Sequence, residues 1–154
     1  MLVPLEELRA AVPRGARLLG VDLGSKTIGL ALSDPSWTVA SALETLRRGR
    51  FAADAARLLG LADRHGAGGV ILGLPLALDG RESPRSQATR AFARNLLQVR
   101  DLPIAFWDER LSTAAVERML IREIDASRSR RAQLVDKLAA AYILQGALDR
   151  LSRN

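Results

Sequence analysis

Cysteine is absent from this 154-residue chain, which excludes disulfide frameworks, thiolate zinc sites and cysteine nucleophiles together. Histidine occurs once, as His65 in "ADRHG", where it reads as a solvated residue at a helix end rather than as a ligand or general base. Lysine is nearly missing as well. Only Lys26 and Lys137 contribute to a Lys+Arg total of 23, against 17 acids, so arginine carries the net charge of +6. The planar guanidinium fork suits phosphate, and the positive sum favours a polyanionic partner. No apolar run approaches the length that crosses a bilayer, and residues 1 to 16 contain acids and prolines without a cleavable apolar core. A cytoplasmic protein with no membrane partner is expected.

One domain is the natural reading of this length, with residues 1–16 as an N-terminal extension holding at most a helical turn and 17–151 as the folded body. "RLLGVDLG" and "TIGLALSD" read as two strands joined at Gly24-Ser25-Lys26, and "WTVASALETL" as a third. Helical spacing follows in "RFAADAARLLGLADRH", closed by Gly66. "GGVILGLP" is a continuous apolar strand covered on both faces. Ser83-Pro84 opens a helix whose inward residues are predicted to be Ala88, Ala91, Phe92, Leu96 and Val99. A fifth strand, "LPIAFWDE", precedes a helix capped by Ser112 or Thr113, a mobile loop over residues 125–131 and a closing helix from about Ala132 to Leu151. The expected fold is α/β: a mixed five-stranded sheet, an antiparallel three-strand meander plus two parallel strands, with helices on both faces.

Acids stand in three places where burial and propensity disfavour them. Asp22 interrupts the first strand, and a lone buried charge there costs several kcal/mol unless compensated. Asp108 and Glu109 end an inner strand at the carboxyl edge, where open α/β sheets bind ligands; alternation lets only one of them share a face with Asp22. Asp136 shares a helical stripe with Ala139, Ala140, Ile143 and Ala147. Converging, such acids would suit hard divalent cations, magnesium or manganese, and two ions roughly 4 Å apart can activate water and stabilise the leaving oxygen of a phosphodiester. The plainer alternative pairs Asp22 with an arginine and Asp108 or Glu109 with Arg110, and makes Asp136 a helix-end acid. Trp37 and Trp107 could stack on bases but read as core. Gly73, Pro75, Asp79 and Gly80 read as loop-shaping residues.

"GVDLGSKTIGLALSD", "VILGLPLALDG", "DERLS" and "VDKLAAAYILQGAL", in this order, resemble the YqgF family, also called RuvX, over roughly residues 17–151. The resemblance implies an RNase H-like fold and a metal-dependent nuclease with Asp22, Glu109 and Asp136 as catalytic metal ligands and Asp108 as the alternative to Glu109. Lys26 matches a lysine of the family's hairpin, where a following arginine is common; Thr27 stands there instead, and the N-terminal extension lies outside the family pattern. Lys26, Arg81, Arg85, Arg110, Arg128, Arg130 and Arg131 are the candidate phosphate contacts. Two substrates are implied, the 5′ end of precursor 16S ribosomal RNA and the four-way DNA junction of recombination. A junction resolvase needs a symmetric dimer for two coordinated cuts, whereas RNA trimming needs one active site, so monomer and homodimer both stand. The rivals are an actin-like ATPase, for which the chain lacks a second lobe, and a nucleic-acid-binding module without catalysis.

Overall fold

The computed structural model describes residues 1–111 and 128–153, with residues 128–136 described by their backbone alone. Five strands, β1 (Arg17–Leu23), β2 (Thr27–Ser33), β3 (Ala40–Arg47), β4 (Ala67–Leu74) and β5 (Ile104–Asp108), form one sheet in the order β3-β2-β1-β4-β5. The meander β1-β2-β3 is antiparallel, while β4 and β5 join β1 in parallel. The predicted sheet is therefore the observed one. Its third strand starts later than expected, because Asp34 bends residues 34–39 into a turn. The Asp34 carboxylate accepts hydrogen bonds from the Ser36 hydroxyl and from the N–H groups of Thr38 and Val39. Bonds from Ser36, Val39 and Thr38 lower its pKa to about 2, and Trp37 takes a φ of 59° within the turn.

Side-chain alternation sends Leu19, Val21 and Leu23 of β1 to one face, where they pack with α2 (Phe51–His65) and α3 (Pro84–Val99) through Leu58, Leu59, Phe92 and Leu96. The opposite face packs with the last helix, α4 (Arg128–Ser152), through Leu18, Ile71 and Trp107 against Ala140, Ile143, Leu144 and Leu148. Gly66, with a left-handed φ of 71°, ends α2 as anticipated. Ser83 caps α3 through a reciprocal pair of bonds with Ser86. The buried stripe of α3 corrects the sequence reading. Ser86, Thr89, Phe92, Ala93 and Leu96 are buried, while Ala88 and Val99 face solvent. Ser86 is held inward by the capping box, and Thr89 is accommodated there by donating its hydroxyl to the Arg85 carbonyl at 3.0 Å. Both tryptophans are core residues, as read.

The helix α4 begins at Arg128, so residues 128–131 are helical rather than loop, which corrects that expectation; residues 112–127, including the expected cap at Ser112 or Thr113 and helix after it, lie outside the described residues. Residues 1–16 pack closely on the body. Leu2 bridges to Ile104 in parallel, Val3 N–H donates to the Ile104 carbonyl at 2.9 Å and Ile104 N–H to the Met1 carbonyl at 3.0 Å. The exposed edge of β5 is thus covered. Leu8 of α1 (Leu8–Ala11) and Val12 are buried against the α4 layer.

Close approach of α4 to the sheet depends on Gly20. A Cβ there would stand 2.7 Å from Leu144 Cβ and 3.1 Å from the Ala140 carbonyl oxygen, both rigid parts of the helix. Gly20→Ala is expected to cost about 2–3 kcal/mol by overpacking and to lower Tm by roughly 4–12 °C, read by calorimetry.

Candidate active site

The strands β1, β4 and β5 run in one direction, and their carboxyl ends form one edge of the sheet. Asp22 lies near that edge, only 4% exposed. Gly20, two residues before it, faces α4, so strand alternation puts Asp22 on the α4 face as well. The parallel pairing Val21↔Leu72, continued by one residue, sets Asp22 beside Gly73. Gly73 faces α4 too: a Cβ there would meet Ile143 Cδ1 at 2.7 Å and Glu109 Oε1 at 2.9 Å. Glu109, the first residue of a 3-10 turn (Glu109–Leu111) after β5, thus lays its carboxylate over the strand next to Asp22. Two of the three predicted acids share one face and one edge of the sheet.

Asp136 belongs to α4 one turn before Ala140. Gln145 accepts from Ala40 N–H and donates to the Thr38 carbonyl, which fixes that part of α4 beside the start of β3, at the opposite edge from the β1-β2 turn. Just upstream, Leu144 meets the Gly20 position and Ile143 the Gly73 position, and Asp136 lies about two turns further toward the start of the helix. Its side chain lies outside the described residues, as do those of Arg128, Arg130 and Arg131. Among the described residues no three acidic or histidine side chains form a group that could hold a metal ion.

Asp108 has a different environment. Arg110 grips it through Nε to both oxygens at 3.0 Å and through Nη2 at 2.6 Å, and the Arg110 N–H adds a fourth bond. These bonds, the guanidinium's first, hold the Asp108 pKa below the ordinary carboxylate range against the opposing effect of burial, and they raise that of Arg110. The plain pairing weighed for Asp108 or Glu109 with Arg110 falls on Asp108. Arg110 also donates to the Leu78 carbonyl at 3.3 Å and lies 3.2 Å from where a Gly80 Cβ would stand, so it braces the loop of residues 75–83. Arg81 pairs with Asp79 at 3.1 Å and is exposed. Arg85 is exposed on the first turn of α3, and Lys26 at the tip of the β1-β2 turn.

Sequence reasoning gave Gly73 only a loop-shaping part. Its structural part is to leave room for the Glu109 carboxylate, and the available signal was a glycine one residue from the end of a buried parallel strand.

Comparison with known proteins agrees with this architecture. A protein of Paramagnetospirillum magneticum is 60% identical over 146 residues, covering 95% of this chain and 94% of its own. One of Rhodospirillum rubrum is 56% identical over 149 residues, covering 97% and 92%. Both carry the provisional name pre-16S rRNA nuclease. Among solved structures, Thermus thermophilus RuvC in complex with a Holliday junction substrate superposes with a TM-score of 0.55 at 16% identity, over 88% of this chain and 96% of that one. The yeast mitochondrial Holliday junction resolvase gives 0.51 at 12% identity, over 97% and 86%. At those identities the likeness concerns the fold, which is RNase H-like. The family model described as "RuvX: Holliday junction resolvase" matches residues 16–150, nearly the whole folded body, and with relatives of this identity the chain belongs to the RuvX (YqgF) family.

Proposed function

We propose that this protein is a divalent-cation-dependent nuclease that hydrolyses phosphodiester bonds and trims the 5′ end of precursor 16S ribosomal RNA in the cytoplasm. The observation that carries the chemistry is the buried Asp22 on the same face and edge of the sheet as the Glu109 carboxylate seated over Gly73. Oxygen-only donors of this kind match magnesium or manganese rather than softer metals. Asp22, Glu109 and Asp136 would hold the ions. When bound, they would stabilise charge on the phosphate and lower the pKa of water, in the two-ion arrangement. The residues themselves aim the carboxylates at one edge, with Gly73 giving Glu109 its place and α4 covering the inner side of the pocket. Glu109 is preferred to Asp108 as a ligand because its carboxylate is the one seated over Gly73, on the face of Asp22.

The RNA substrate is supported by the name carried by relatives at 56–60% identity and by the need for only one active site. Side-by-side assays of a precursor 16S rRNA fragment and a synthetic four-way DNA junction test it. Cleavage of the RNA is expected with magnesium or manganese and is expected to disappear with chelator or calcium, whose looser coordination positions water poorly. Coordinated cuts in the junction alone, by a protein whose solution mass is that of a dimer, would replace the RNA reading with junction resolution. Binding without any cleavage would reduce the protein to a nucleic-acid-binding module.

A further inference from the structure

We propose that Lys26, Arg47, Arg48 and Arg50 form a phosphate-binding track that receives the substrate's backbone on the β3 side of the active site. The inference rests on the nuclease reading and extends it from Lys26, a predicted contact, to three arginines outside the predicted set. All four side chains are exposed. The register places the track. Asp22 pairs with Gly29, Gly29 with Thr45, and Thr27 with Arg47, so directly opposed residues carry the α4 face from Asp22 across to Thr45 and, two residues on, to Arg47. Arg47 therefore leaves the sheet on the same face as Asp22 and closer to the carboxyl edge, two strands away, or about 10 Å across the sheet. Glu44, the acid of β3, pairs with Leu30 and belongs to the opposite face.

The backbone that presents these cations is held at each residue. The Arg47 carbonyl accepts from Arg57 at 2.6 Å, and Arg48 N–H donates to the Lys26 carbonyl at 2.9 Å. Gly49 N–H donates to the buried Asp54 carboxylate at 3.0 Å, and Arg57 pairs with that carboxylate at 2.7 Å. Arg48 also reaches over to the Gly24 carbonyl at 2.7 Å, tying the β1-β2 turn and its Lys26 to the same surface. A loop fixed in this way presents its charges without further ordering, which is what favours binding.

Stability does not explain the placement. Arg50 occupies the N-cap of α2 and makes no side-chain capping bond, at the helix end where the dipole favours acids and disfavours cations. Asp54, the acid of that first turn, is buried and engaged with Gly49 and Arg57. Exposed charge on a rigid segment that starts at Arg47, on the face of Asp22, and continues past the sheet to Arg50, which stands against the local dipole rule, is the pattern of a binding surface. Phosphate is the ligand such a cluster fits, through point charge from lysine and bidentate contact from arginine.

The test measures binding of a single-stranded RNA fragment in chelator, so that no cleavage intervenes, over a series of salt concentrations. The variant is Arg47→Ala with Arg50→Ala; Arg48 is kept because it braces Gly24. Removing two phosphate contacts on a single strand should lower the salt slope by about 1.4, near 0.7 for each contact. A charge-matched control, Arg64→Ala with Arg94→Ala, both exposed on outer helices, should keep the parent slope. An unchanged slope in the first variant, or an equal loss in the control, would overturn the track and leave the nuclease reading standing. Absence of salt-dependent binding by the parent protein would overturn both.

Discussion

Asp22→Asn is expected to reduce hydrolysis by at least about a thousandfold, the equivalent of several kcal/mol of lost charge stabilisation at tenfold per 1.4 kcal/mol. The substitution is nearly isosteric, and Asp22 is 4% exposed within a strand paired on both sides. An amide keeps the shape and removes the negative charge on which cation binding depends. Folding should survive, because the amide keeps the size of the carboxylate and can still hydrogen-bond within a strand paired on both sides. Thermal unfolding of the variant is therefore expected to stay close to that of the parent, and its RNA affinity in chelator to be near the parent value. Single-turnover cleavage together with calorimetry checks the pair. A variant that cuts RNA at the parent rate would remove Asp22 from the chemistry, and one that fails to fold would make the residue structural.

Gly73→Ala should separate activity from stability in the opposite way to Gly20→Ala. The new methyl would meet the far ends of two side chains, Ile143 Cδ1 at 2.7 Å and Glu109 Oε1 at 2.9 Å. Both can move, so the stability cost should stay below about 1.5 kcal/mol. Moving Glu109 is the functional loss. A displacement on the order of 1 Å at a positioned group can cost about a hundredfold in rate, and that is the drop expected in cleavage. At Gly20 the obstructing atoms are Leu144 Cβ and the Ala140 carbonyl, which move only with the helix, so unfolding there should be affected first. Parent-like cleavage by Gly73→Ala would mean that the position of Glu109 over β4 does not matter to the reaction.

The two expectations draw on different levels of the molecule. The odd placement of Asp22 was visible in a short string of residues, because a charge among apolar strand residues violates local pattern whatever the rest of the chain does. The choice between Asp108 and Glu109 was narrowed by alternation to one acid per face, yet only the structure paired Asp108 with Arg110 and seated Glu109 over Gly73. That choice depends on a 3-10 turn after β5 and on a glycine three dozen positions earlier, two things no local window relates. Arg47, Arg48 and Arg50 stood in plain sight as "RRGR". That Arg47 shares the face of Asp22 required the register of three strands.

The sequence by itself determined the order and type of most described elements: the meander, the parallel strands, the Gly66 and Ser83 helix boundaries, and the out-of-pattern place of Asp22. These follow from hydrophobic period and from turn and cap chemistry, which act over a few residues. The tertiary structure alone decided which side of α3 is buried, that residues 128–131 are helical, that residues 1–3 pair with Ile104 at the β5 edge, and that Arg47 lies on the face of Asp22. Those outcomes depend on strand register and helix docking between segments far apart in the chain, where small shifts change which side chains meet while the local pattern stays the same.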